Sequence, residues 1–130
     1  MMQVAYYYRT THRDHGYGKY MEPGKAVLDK KYGETEKKEQ VFWDEASGAD
    51  GNRKEFRRLL GEIEAGHIHV VVTKDAAMIA RDWKQFMEFM GACKDHGVEV
   101  LCFHEREDAA KMFERIQKFI SKYFEGGMDE

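Results

Sequence analysis

The sequence predicts a single α/β domain: three layers, α/β/α, around a central, mainly parallel sheet, with an amphipathic helix at the carboxyl end. Three observations point there. Ile68 to Thr73 is a run rich in β-branched residues, set off by Gly66 and by a polar turn at Lys74-Asp75. A run of that kind is the mark of a strand buried on both faces. Strand-like and helix-like segments alternate along the chain, the pattern of a parallel sheet with right-handed crossovers. The helical segments carry apolar residues on one side and end on glycine, as at Gly66 and Gly97.

Taken in order, Gln3 to Tyr8 is the first strand, with Val4, Tyr6 and Tyr8 on one face and Ala5 and Tyr7 on the other. A polar stretch, His12 to Lys19, follows. Its Gly16-Tyr17-Gly18 lacks the third glycine and the lysine-serine ending of a phosphate loop, so it reads as a flexible connection. Ala26, Val27, Leu28 and Tyr32 predict a short helix with Pro23 in its first turn and Gly33 at its end. Glu34 to Gln40 reads as a solvated connection, and Gln40 to Trp43 as a short strand.

Asn52 and Glu55 have the spacing of a capping box, ahead of a stripe at Phe56, Leu59, Leu60 and Ile63. The central strand comes next. Trp83, Phe86, Met87, Met90 and Cys93 mark another amphipathic helix, and Val98 to Phe103 another buried strand. Ala109, Met112, Phe113, Ile116, Phe119, Ile120 and Tyr123 then draw a stripe of about four turns. The domain is expected to span residues 1–125, with a disordered tail at 126–130 and no second domain after the last helix.

Composition narrows the function. The chain has 130 residues, 42% hydrophobic and 35% charged, with one proline, which suits one soluble globular domain. No run reaches transmembrane length and Met1 to Thr11 lacks the basic-then-apolar plan of a signal peptide, so a cytoplasmic protein without a membrane partner is expected. Cys93 and Cys102 lack metal-type spacing and read as buried thiols in a reducing compartment. A net charge of -3 argues against a stand-alone nucleic-acid binder.

If the sheet is parallel, three loops leave one edge: Arg9 to Lys19, Asp44 to Arg53 and Lys74 to Asp82. They bring Arg9 and Thr11, Ser47 and Arg53, and Lys74 and Arg81 toward a common anion pocket. Arginine suits phosphate, and the helix starting near Arg53 would add its positive end. His67 and His69, two apart, have no third ligand nearby and read as strand-edge side chains. Arg53, Lys54, Arg57 and Arg58 form a basic cluster open to two readings, a DNA-facing patch or a solvated helix face.

Tyr7-Tyr8-Arg9-Thr10-Thr11 resembles the Tyr-x-Arg-x-Ser signature of resolvase/invertase-type serine recombinases. Phe42 to Leu60, FWDEASGADGNRKEFRRLL, is similar to that family's aspartate, Ser-Gly loop, arginine and helix. EAGHIHVVVTKDAAMIARD resembles its third strand and catalytic arginine segment, and GVEVLCF its fourth strand. The resemblance implies a resolvase-like fold in which a serine attacks the scissile DNA phosphate and arginines stabilise the transition state. It implies strand exchange in a tetramer, with no metal and no nucleotide cofactor. Carried onto this chain, the catalytic set is Thr11 as nucleophile with Arg9, Ser47, Arg53 and Arg81.

The chain departs from the family pattern in ways that predict impaired activity. Thr11 is a secondary hydroxyl with a restricted χ1. Ala77-Met78 stands where the family has Asp-Arg or Ser-Arg, and losing one preorganised donor costs on the order of 10²–10³ in rate. No glutamine occupies Met21 to Lys25. Met112, Ile116, Phe119 and Tyr123 have coiled-coil-like spacing, suited either to a homodimer (or tetramer) seam or to packing on the sheet. Three functions follow: a recombinase catalytic domain acting on the DNA backbone with a degenerate site; a silent dimerisation or regulatory module; or a small phosphate- or nucleotide-binding α/β protein.

Overall fold

Alternation along the first strand decides the layering. Val4, Tyr6 and Tyr8 point one way and Ala5 and Tyr7 the other, and all five are buried, so the strand needs cover on both sides. The computed structural model describes residues 1–10, 16–45, 53–80, 82–104 and 109–122. In it β1 (Met2–Thr10) lies between β2 (Lys37–Glu45) and β3 (Val70–Thr73), and β3 pairs on its far side with β4 (Glu99–Cys102). All these pairings are parallel, in the order β2-β1-β3-β4. The carboxyl ends at Thr10, Glu45, Thr73 and Cys102 therefore share one edge, as the sequence predicts.

Helix α1 (Gly18–Tyr32) covers the face of Val4, Tyr6 and Tyr8, with Leu28 buried against them. The opposite face is covered by α2 (Lys54–Glu64), α4 (Trp83–Asp95) and α5 (Ala109–Ile120). Phe56, Leu59 and Ile63 from α2, Phe86, Phe89 and Met90 from α4, and Phe113 from α5 pack there with Tyr7 and Val71. Between β3 and α4 the chain makes one short helix, α3 (Ala76–Ile79), which contributes to both faces. The result is the three-layer α/β/α fold. The chain reverses into β4 at Gly97, whose φ of +67° suits glycine.

Several element boundaries differ from expectation, each for a physical reason. Helix α1 begins at Gly18, so Pro23 sits inside it and not in its first turn. Packing carries the helix upstream of the proline: the Tyr17 and Tyr20 rings stack on Tyr8 at 6.0 and 5.5 Å. Tyr8 Oη also donates to the Tyr20 carbonyl at 3.1 Å. The glycine after the proline allows this closeness, because a Cβ at Gly24 would lie 2.5 Å from Tyr8 Oη. Strand β2 begins at Lys37, within the stretch expected to be a connection. It is an edge strand whose first residues are solvated, so charge hides the pairing of Met2 with Lys37.

The capping box is also replaced. Asn52 lies outside the described residues, and the Asp44 carboxylate, reaching over from β2, accepts from the N–H groups of Glu55 and Phe56 at 2.9 Å each. Glu55 pairs instead with Arg58, which holds its carboxyl below the usual carboxylate range. Cys93 is buried, but Cys102 is only half-buried. Along α5 the stripe divides: Ala109 and Phe113 are buried, Met112 and Ile116 pack partly on the core, and Phe119 is 55% exposed. Tyr123 and the 126–130 tail lie outside the described residues.

Candidate active site

The shared carboxyl edge is built by short polar contacts between strand ends. Thr73 Oγ1 donates to the Tyr7 carbonyl at 2.7 Å, tying the end of β3 to β1. Trp43 Nε1 donates to Thr10 Oγ1 at 2.7 Å, tying β2 to β1 from the other side. Arg9 pairs in register with Asp44, and alternation puts it on the face of Tyr7, where it is half-buried. Thr11, two residues beyond Arg9, lies outside the described residues, as do Ser47 and Arg81.

Beyond β3, two aspartates punctuate the segment that resembles the family's catalytic arginine stretch. Asp75 Oδ1 accepts from the Met78 N–H at 2.9 Å and starts α3. Asp82 Oδ1 accepts from the Lys84 N–H at 2.7 Å and starts α4. Both are helix N-caps, each satisfying an end donor that the helix leaves open. Lys74 is half-buried, with Nζ 5.7 Å from the centre of the Tyr20 ring.

Of the expected arginines, Arg53 is placed in full, and its setting differs from an open anion pocket. It is 4% exposed. Nη2 donates to Tyr7 Oη at 3.0 Å, to the Met78 carbonyl at 3.2 Å and to the Ile79 carbonyl. Nη1 donates to Gln85 Oε1 at 3.2 Å, and the guanidinium lies 3.9 Å from the centre of the Phe56 ring. Nε has no hydrogen-bond partner among the described residues. Tyr7 Oη donates in turn to Asp44 Oδ2 at 2.8 Å. A positive and a negative group are thus bridged by one phenol in the interior.

Burial raises the Tyr7 phenol above its ordinary range, outweighing the lowering pull of Arg53, so it stays a neutral donor. The helix N-terminus expected to reach a ligand has its Glu55 and Phe56 donors engaged by Asp44. Sequence reasoning singled out neither Tyr7 as a partner of Arg53 nor Asp44 as the acceptor behind Tyr7. The available signal was an aspartate directly after an apolar strand, a place where an acid needs partners.

Met78, at the position where the resemblance puts a family arginine, is 9% exposed and belongs to the cluster of Val4, Tyr6, Tyr8, Leu28 and Val72. The other sequence candidates resolve as packing or pairing. His69 Nδ1 accepts from the Gln3 N–H at 2.8 Å, and His67 pairs with Glu62 at 2.6 Å. Among the described residues no group of three His, Cys, Asp or Glu side chains is arranged to hold a metal. Arg58 lies over the Phe42 ring, so with Arg53 buried the basic cluster is no uniform open row. No described helix is long and apolar enough to cross a membrane.

Comparison with known proteins agrees with this architecture. No curated protein sequence matches the chain. The fold is similar to the N-terminal catalytic domain of TP901-1 integrase, at a TM-score of 0.66 and 17% identity, covering 98% of this chain and 99% of that one. A resolvase family site-specific recombinase from Streptococcus pneumoniae gives 0.60 at 17% identity, over 94% and 89% of the two chains. A serine recombinase from Sulfolobus solfataricus gives 0.58 at 21% identity, over 95% and 83%. These likenesses show the fold. The family model for the resolvase N-terminal domain matches residues 4–126, nearly the whole length, and the chain therefore belongs to that family.

Proposed function

We propose that this domain acts on the DNA backbone as a serine-recombinase-type catalytic domain in the cytoplasm, with Thr11 as nucleophile and with impaired chemistry. The supporting observation is the parallel pairing of β1 with β3, which sends the chain after Thr10 and the chain after Thr73 out of one sheet edge. In open α/β sheets that edge, between strands whose connections diverge, is where ligands bind. In the reaction Thr11 Oγ forms a bond to phosphorus, the bond from phosphorus to the 3′ oxygen breaks, and the 3′ oxygen takes up the proton. Arg9 and Arg81 offset the charge gathering on the phosphoryl oxygens. No metal or nucleotide is needed for that sequence of bonds.

Impairment is supported by Met78, buried among aromatic and aliphatic side chains where the family pattern calls for a cation. The test is incubation of supercoiled plasmid with the protein, followed by denaturation and detection of protein covalently attached to DNA. A weak adduct is expected from the native chain, none from Thr11→Ala, and more from Thr11→Ser. Equal signal from the native chain and Thr11→Ala removes Thr11 from the reaction.

A second reading, a self-associating module without chemistry, has its own observation. Trp83, Ile116, Phe119 and Ile120 line an apolar recess of about 310 Å³, with Trp83 and Phe119 more than half exposed. A second copy of the chain is the partner this reading assigns to it. Sedimentation of the native chain beside Phe119→Glu distinguishes them: a dimer that dissociates in the variant, with no adduct from either, favours the module.

A further inference from the structure

Arg53 aligns with a family arginine, yet its surroundings give it a different task. We infer that Arg53 is a positioning residue: a buried clamp that fixes the end of α3, and so the direction in which the chain runs on to Arg81, without itself touching DNA. The consequence for catalysis rests on the function proposed above. The clamp rests on local geometry alone.

The last carbonyls of any helix lack partners within it, and a four-residue helix such as α3 has little cooperativity of its own to hold its shape. Arg53 Nη2 meets the Met78 and Ile79 carbonyls at that end. The same guanidinium is held from behind by Tyr7 of β1, which is anchored on Asp44 of β2. It is held from the side by Gln85 of α4 and from below by the Phe56 ring of α2. One planar cation thus joins the sheet to α2, α3 and α4. Its Nη donors face carbonyl and phenol oxygens in the interior, Nε is buried with no partner among the described residues, and at 4% exposure the guanidinium has little open surface for a phosphate. Ala80 follows, buried at 7%, and then Arg81. A planar fork reaching several acceptors at once is specific to arginine, so a lysine keeps the charge but loses the clamp.

The test combines a double-mutant cycle with amide exchange, using the full chain. In the plasmid-adduct assay Arg53→Met is expected to slow adduct formation about 10²-fold, the penalty for a misplaced catalytic group, with the half-saturating DNA concentration unchanged. Combined with Arg81→Gln it should add almost nothing to the loss from Arg81→Gln alone, because both changes act through one group. Multiplying losses, or a raised half-saturating concentration, would mean a separate phosphate contact and overturn the inference. So would a native rate in Arg53→Lys. A native chain that yields no adduct removes the proposed function, and the clamp is then decided by exchange at the Met78 and Ala80 amides. Exchange there should quicken about tenfold or more in Arg53→Met, and in Arg53→Lys should the first variant not fold, while α1 amides hold their rates. Unchanged exchange at both amides would sink it.

Discussion

The two faces of the sheet treat the short helix α3 in opposite ways. On the face covered by α2 and α4, its end is gripped by a buried cation, and Asp44, Tyr7 and Arg53 form a hydrogen-bonded chain through the interior. On the face covered by α1, Met78 from the same helix meets Tyr6, Tyr8 and Val72, and the tyrosine hydroxyls reach out to Glu39 and to the Tyr20 carbonyl. A buried charge is tolerable only where partners surround it. The first face supplies them for Arg53. The second is lined by rings and hydrocarbon, so an arginine at position 78 would need to reach past Met78's neighbours to water. The difference teaches that the surroundings decide what a side chain near this edge can do: one face of the sheet offers a buried cation its acceptors, and the other offers only packing.

The sharpest way to break that comparison is to remove the acid that completes the polar face. Asp44→Ala takes the cap from α2, the acceptor from Tyr7 and the counter-charge from Arg53 together. Leaving one member of a buried charged pair alone typically costs about 3–5 kcal/mol. Urea unfolding should show a loss of that size. A loss below about 1 kcal/mol would mean that Arg53 is compensated by something other than Asp44, since an exposed ion pair is worth no more than that.

What the sequence reveals follows the same division. Periods of two and of 3.6 residues expose the strands and amphipathic helices, because burial of one face leaves a pattern any reader can count. The split of Val4, Tyr6 and Tyr8 from Ala5 and Tyr7 was visible this way, and so were the stripe of α2 and the glycine after α4. Two kinds of feature were not. Strand β2 starts in a charged run because an edge strand can be solvated on one side, which removes the apolar signal from Lys37 to Gln40. The hydrogen-bond partners of Arg53 come from β1, α3 and α4, and nothing local to Arg53 distinguishes a guanidinium turned inward from one turned to solvent. Family resemblance located the arginine but not its direction. That direction depends on tertiary neighbours, which spacing does not encode.

On the α1 face the corresponding test is steric. Gly24 is where the helix comes closest to the sheet, and a Cβ there would lie 2.5 Å from Tyr8 Oη and 3.4 Å from Tyr6 Cε1 and Val72 Cγ1. The obstructing hydroxyl ends a rigid, fully buried ring, so Gly24→Ala is expected to cost about 1–3 kcal/mol through overpacking. Tyr8→Phe in the same chain removes the obstructing oxygen and should recover part of the loss. If Gly24→Ala is neutral in urea unfolding, the closeness of α1 to β1 is not what holds this face together.

The smallest effect compares the faces directly through their tyrosines. Burial raises the phenols of Tyr6, Tyr7 and Tyr8 above their ordinary range; Tyr7 alone has a neighbouring cation pulling the other way, and Glu39 pushes Tyr6 further up. In the unfolded chain each phenol ionises near pH 10, as free tyrosine does. The folded chain keeps these protons where the unfolded chain has lost them. The stability they support is therefore complete below about pH 10 and falls as pH rises past it, by about 1.4 kcal/mol per pH unit for each tyrosine. Unfolding measured between about pH 10 and 11.5 should flatten by one such increment in Tyr8→Phe and by the same increment in Tyr7→Phe, since burial outweighs Arg53 at Tyr7. A Tyr7→Phe variant with the native alkaline slope would mean that the phenol ionises in place beside Arg53. The polar face would then be stabilised by charge pairing more than by the neutral hydrogen-bond chain that sets it apart from its opposite.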